Sequence, residues 1–139
     1  MVKEKTVPKV DGKVEIEVSK ERVGDLLCSA FEGGSNYWYM IEEFIKPPVV
    51  VQHTGLGEVF RHLDYPLSEG GALMVSDSKA ANPGEAKTTR LDWPRLLEGL
   101  KIMAEKYPRH YGDWLAENDD ADTGDVFLQC CVLGDVVYG

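Results

Sequence analysis

The chain has no long apolar run. Nothing in its 139 residues approaches the roughly 20 consecutive apolar side chains that cross a bilayer as a helix, so no membrane partner is expected. Cysteine is scarce. Cys28, Cys130 and Cys131 are an odd set with two members adjacent, which argues against a disulfide framework and for a reducing, cytoplasmic setting. Metal-binding spacings are missing too. His53, His62 and His110 stand in no HxxxH or HExxH pattern and the cysteines in no CxxC pattern, so neither a metal nor a cofactor is expected. Basic charge is in deficit, with 15 Lys and Arg against 24 Asp and Glu and a formal net charge of -9. A nucleic-acid-binding face normally carries a basic field, so direct contact with nucleic acid is not expected. Residues Met1 to Gly12 carry lysines but no apolar stretch or small-residue cleavage site. They read as a flexible leader rather than a signal peptide, followed by one domain over 13–139.

Two partial motifs also fail. Gly55-Leu56-Gly57 lacks the third glycine and the strand-turn-helix context of a dinucleotide fingerprint. The acidic run Asn118 to Asp125 has its glycine at the wrong place and no glutamate at the twelfth position of a calcium loop. Capping and a solvated turn account for it more simply.

The patterns that remain describe an α+β protein. Val14, Ile16 and Val18 alternate with polar residues as in a half-buried strand. Ser19 is placed to cap a helix whose apolar face is Val23, Leu26, Leu27, Ala30 and Phe31, and Gly33-Gly34 stops it. Tyr37 to Ile45 reads as a strand closed by Pro47-Pro48, and Leu56, Val59, Phe60 and Leu63 as one face of a short helix. Ala72 to Ser76 and Ala86 to Leu91 read as a hairpin with a polar tip at Asn82-Pro83-Gly84. Asp92 caps the next helix, with a buried stripe of Trp93, Leu96, Leu97, Leu100, Met103, Ala104 and Tyr107. Gly99 inside it points to close approach of another backbone. Tyr111, Trp114 and Leu115 suggest a further turn or two. A helix from Val126 to Leu133, capped by Asp122 and apolar nearly all round, is expected innermost, with Val136 to Tyr138 as a terminal strand. The whole is expected as four or five mostly antiparallel strands packed on three or four helices.

The segment most suggestive of a site is Glu32-Gly33-Gly34-Ser35-Asn36-Tyr37-Trp38-Tyr39, echoed by Glu69-Gly70-Gly71. Glycines here follow a helix rather than open one, so the polarity of a phosphate loop is reversed. The aromatics offer faces on which a nucleobase could stack, with Asn36 reading polar edges. Against this stands a tight turn followed by core aromatics. The expectation is that both diglycine turns edge one hollow and that these eleven residues line it. Adjacent Cys130 and Cys131 read as core residues, and Cys28 as a nucleophile only if a histidine folds beside it. His62 with Asp64, or Glu32 with Glu69, would be needed for a small hydrolase.

Three stretches carry a resemblance: Ala30 through Trp38, Glu69 through Leu73, and Asp120 through Asp125 continuing to Gly134-Asp135-Val136-Val137-Tyr138-Gly139. Together they resemble a group of small proteins encoded by tailed bacteriophages and prophages, for which no activity is established. The resemblance implies action in the host-cell cytoplasm and an accessory role such as countering host defence. Two functions follow as expectations. One is binding and sequestering a nucleotide-like small molecule. The other is inhibition of a basic host defence nuclease or nucleic-acid-binding complex through acidic side chains such as Glu42, Glu43, Glu117, Asp119, Asp120 and Asp122. Tyr and Trp content is compatible with a homo-oligomer without requiring one.

Overall fold

The computed structural model describes residues 18–48, 62–80 and 87–139. The leader, nearly all of the Val14 to Val18 strand, the helix expected at Leu56 to Leu63 (all but its last two residues) and the tip at Asn82 to Gly84 fall outside them. Among the described residues the chain is a single α+β domain of five helices and one three-stranded antiparallel sheet. The strand count is one or two below that expected.

Helix α1 (Lys20–Ser29) begins where a hydroxyl can replace a missing backbone acceptor: Ser19 Oγ accepts from the Arg22 N–H at 3.0 Å. Its apolar spacing turns Val23, Leu26 and Leu27 inward, together with Ala30 just beyond, and all four are fully buried. The helix widens into one π-type turn over Ala30–Gly34, closed by the Ser35 N–H on the Ala30 carbonyl at 2.9 Å.

Strand β1 (Tyr39–Ile45) starts two residues later than the aromatic content suggests. Tyr37 and Trp38 belong to a turn closed by the Trp38 N–H on the Ser35 carbonyl, 3.1 Å. A short helix α2 (Asp64–Leu67) then leads through Glu69-Gly70-Gly71 into β2 (Ala72–Asp77), which pairs with β1 on one side and β3 (Thr88–Leu91) on the other. The register slips between Ile41 and Glu43, placing a bulge at Glu42. Ser76 Oγ donates to the Glu42 carboxylate at 2.7 Å. The hairpin of β2 and β3 is the expected one.

Asp92 caps α3 (Trp93–Lys106) by accepting from the Arg95 N–H, and Pro94 sits in the first turn, where no N–H is needed. Leu96, Leu100 and Met103 are buried, but Leu97 is 37% exposed and drops out of the expected stripe. Helix α4 (Pro108–Leu115) follows at once and buries Trp114, whose indole N–H donates to the Arg22 carbonyl of α1 at 3.0 Å.

The largest correction concerns α5 (Ala121–Val132). It starts five residues before Val126, and its cap is Asp120, not Asp122. Asp120 Oδ1 accepts both the N–H and the hydroxyl of Thr123, at 3.0 and 3.2 Å, and these bonds hold its carboxyl below the usual range. The polar first turn disguises the helix because capping and backbone contact, not apolar burial, select its residues. Gly124 belongs to this logic. A Cβ there would lie 2.8 Å from Ser29 Cβ and 2.9 Å from the Ala30 N, so only glycine lets α5 lie against α1.

Helix α5 is central, as expected, touching α1, α3, α4 and β3. Gly99 on α3 is the matching close approach, since a Cβ there would sit 2.8 Å from Cys131 Cα. No terminal strand forms at Val136 to Tyr138. The fully buried Gln129 side chain takes the place of a sheet partner: its carbonyl accepts from the Val137 and Tyr138 N–H groups at 2.8 and 2.9 Å, and its amide donates to the Tyr138 carbonyl at 2.9 Å.

Gly99→Ala is therefore a test of packing against propensity. Alanine should gain about 1 kcal/mol of helix propensity, yet forcing a methyl onto the α5 backbone should cost about 1–3 kcal/mol or more. Net destabilisation, read as a lower urea midpoint at unchanged slope, is the expected result; a stabilised variant would refute the close approach.

Candidate functional site

The two glycine turns have different surroundings. The first turn, Gly33 to Trp38, closes onto α5. Ser35 Oγ and the Trp38 indole N–H both donate to Asp125 Oδ1 at 2.7 Å, and the Tyr37 hydroxyl donates to Oδ2 at 2.6 Å. Gln129 Nε2 adds a fourth donor at 3.1 Å. A Cβ on Gly34 would collide with the Ala121 carbonyl, so this glycine too permits a helix contact. Trp38 is fully buried, and its neighbours include Tyr39 and Tyr138 at ring-centroid separations of 6.0 and 6.3 Å. Its face is not open to a guest, which removes it from the expected stacking set. Tyr37 is 41% exposed, with the Lys79 ammonium 5.2 Å from its ring centroid. Tyr39 is half-buried against Phe31, and Glu32 and Asn36 are exposed beside the turn.

Desolvation of its hydroxyl, then the hydrogen bond to Asp125 and the charge of that carboxylate, push the Tyr37 phenol up to about 12. A folded-state value above the ordinary 10 means that this contribution to stability is complete below pH 10 and is lost as pH rises toward 12. Tyr39, Tyr107, Tyr111 and Tyr138 are also raised above the ordinary 10, so the test is a difference. Ultraviolet titration of tyrosinate should show a phenol ionising at about 12 that Asp125→Asn moves toward 10. The same variant should lose about 1–3 kcal/mol, because one carboxylate oxygen is exchanged for an amide donor among groups that themselves donate.

The second turn borders a pocket. Ser68, Glu69, Gly70 and Gly71 form one wall, Lys20 at the start of α1 a second, and Arg90, Asp92, Trp93 and Pro94 at the junction of β3 and α3 a third. Its volume of about 540 Å³ falls within the range of small-molecule sites. The glycines are required by the turn: Gly70 has φ +84°, and a Cβ on Gly71 would strike the Tyr65 carbonyl. The Lys20 ammonium donates to the Leu67 carbonyl at 2.9 Å and lies 5.3 Å from the Trp93 ring centroid. Arg90 Nε pairs with Asp92 Oδ2 at 3.1 Å. Each cation keeps further N–H donors beyond these single bonds.

Of the eleven residues expected to line one hollow, Glu69, Gly70 and Gly71 line this pocket; the lining includes none of Glu32 to Tyr39. Lys20, Arg90, Asp92 and Trp93 are additions that sequence reasoning does not supply. In the sequence Trp93 reads as core and Asp92 as a cap, and the members of the pocket are separated by tens of residues with no spacing rule to join them.

The other candidates resolve locally. Cys28 Sγ donates to Glu32 Oε2 at 3.0 Å. Burial pushes Cys130 up to about 12 and Cys131 well above its ordinary value, which suits core residues and not nucleophiles. His62 packs its ring on Phe31 and Phe44, while Asp64 is fully buried. Among the described residues no group of three or more His, Cys, Asp and Glu side chains is gathered as metal ligands would be, and no helix is long and apolar enough to cross a membrane. Glu42 and Glu43 lie on β1, whereas Glu117, Asp119 and Asp120 lie in the α4–α5 connection and Asp122 in the first turn of α5; there Asp120 is occupied by Thr123 and Asp119 lies 4.0 Å from Arg22.

Comparison of the chain with protein-family models, with curated proteins and with solved structures finds no match.

Proposed function

We propose that this protein binds and sequesters a small anionic molecule with a flat ring, of nucleotide type, in the pocket beside the Glu69-Gly70-Gly71 turn. The observation that carries this reading is the convergence of Lys20, Arg90 and Trp93 on one concave space. Two cations with unused donors suit a phosphate, and an indole at the pocket wall suits a planar ring. Glu69, exposed at the rim, supplies an acceptor for hydroxyl or amino groups of the same ligand. Accessory action in a phage-infected cell, as the resemblance implies, fits a protein that withdraws such a signal from host defence.

The test is a thermal-shift and tryptophan-fluorescence screen of mononucleotides, dinucleotides and cyclic nucleotides. A ligand at about 100 times its Kd should stabilise the fold by about 2.7 kcal/mol. Arg90→Glu and Trp93→Leu should abolish that shift while the unliganded protein still melts cooperatively. A nucleotide panel that leaves melting and fluorescence unchanged would refute the reading.

A further inference from the structure

A second pocket, of about 360 Å³, lies at the C-terminal end of α5, lined by Asp77, Lys87, Thr89, Arg95, Val132 and Leu133, with Ala80 at its margin. Its chemistry is divided. Arg95 uses Nε to hold the Cys131 carbonyl at 2.5 Å, and no carboxylate of the described residues pairs with its guanidinium or with the Lys87 ammonium. The two terminal guanidinium nitrogens and the Lys87 ammonium thus bring to the lining two positive charges that no carboxylate of the described residues pairs with. Asp77 supplies the opposite character. Its carboxylate accepts from the Tyr138 hydroxyl at 2.7 Å and from the Lys79 N–H at 2.8 Å, which orients it without neutralising it. Beside it stand the last carbonyls of α5, the negative end of the helix, where cations are favoured. Of these, the Val132 carbonyl accepts from Thr89 Oγ1 at 3.2 Å and retains a second lone pair.

We infer that this pocket is a binding site for a small zwitterion of α-amino-acid type. The carboxylate would lie on Arg95 and Lys87, and the ammonium between Asp77 and the end of α5. A simple anion would satisfy the basic end but face Asp77 unpaired, and a simple amine would leave two cations uncompensated. A molecule carrying both charges a few bonds apart matches the whole lining, and Val132, Leu133 and Ala80 offer apolar surface to a side chain. This site is separate from the pocket at Lys20 and Trp93 and does not rest on the function proposed for it.

The experiment is titration of the full chain with the common free amino acids, followed by amide and Arg Nε signals in two-dimensional NMR. Acetate, methylammonium, inorganic phosphate and the N-acetylated and methyl-ester forms of the best amino acid serve as comparisons. At least one free amino acid should give saturable shifts at Lys87, Thr89 and Arg95, and blocking either charged end should weaken it about tenfold or more, roughly 1.4 kcal/mol. Lys87→Ala, at an exposed position, should weaken the free amino acid but leave the weaker binding of its methyl ester little changed, since the ester presents no carboxylate. Absence of saturable shifts with every amino acid, or binding of phosphate or acetate as tight as that of the amino acid, would overturn the inference. Blocked ligands act on the unaltered protein, so the outcome does not depend on any variant folding.

Discussion

A single carboxylate, Asp125, holds together parts of the chain that local forces alone would leave apart. It sits on the second turn of α5 and accepts from Ser35, Tyr37 and Trp38, which lie far earlier in the sequence. Hydrogen bonds to an ionised acceptor are stronger than neutral ones, and four donors around one carboxylate leave it well satisfied in a partly buried position. Through Gln129, one helical turn further on, the same network reaches the C-terminal residues and gives them backbone partners without a strand. The turn after α1, the start of β1 and the chain end are thereby referred to one helix.

Glycine makes that helix central in a physical sense. Gly124 lets it touch α1, Gly99 lets α3 touch it, and Gly34 lets the turn after α1 pass beneath its start. At each place the side chain is absent because another backbone stands where it would be. The glycine richness that suggests a ligand cradle is, for Gly34, a record of close packing between protein segments. Gly70 and Gly71 also have a structural cause, yet they leave a concave space on their solvent side, bounded by Lys20, Arg90 and Trp93. Both pockets flank the junction of β3 and α3. Arg90 and Trp93 face one, Thr89 and Arg95 the other, so the alternation of a strand running into a capped helix distributes cationic side chains to two sides.

Much of the fold is legible along the chain. Ser19 and Asp92 act as caps, the α1 face is buried as its spacing implies, the β2–β3 hairpin forms, and Gly99 marks a close approach. These features depend on neighbours within a few residues, where periodicity and capping chemistry are strong. Departures arise where distant partners take over. Trp38 leaves the strand because Ser35 and Asp125 claim its N–H groups. The start of α5 is polar because capping and α1 contact select it, and Val136 to Tyr138 lie against a side chain instead of a strand.

Residue pattern by itself determined the α+β class, the helix caps at Ser19 and Asp92, the hairpin and the apolar character of α5, because each is set by interactions a turn or a strand-width apart. Tertiary structure alone decided that Trp38 is sealed inside, that Asp125 is shared among four donors, and that Lys20, Arg90 and Trp93 meet at the second glycine turn. Those outcomes depend on which surfaces face each other after the helices dock, and no local rule encodes the distance between Lys20 and Trp93.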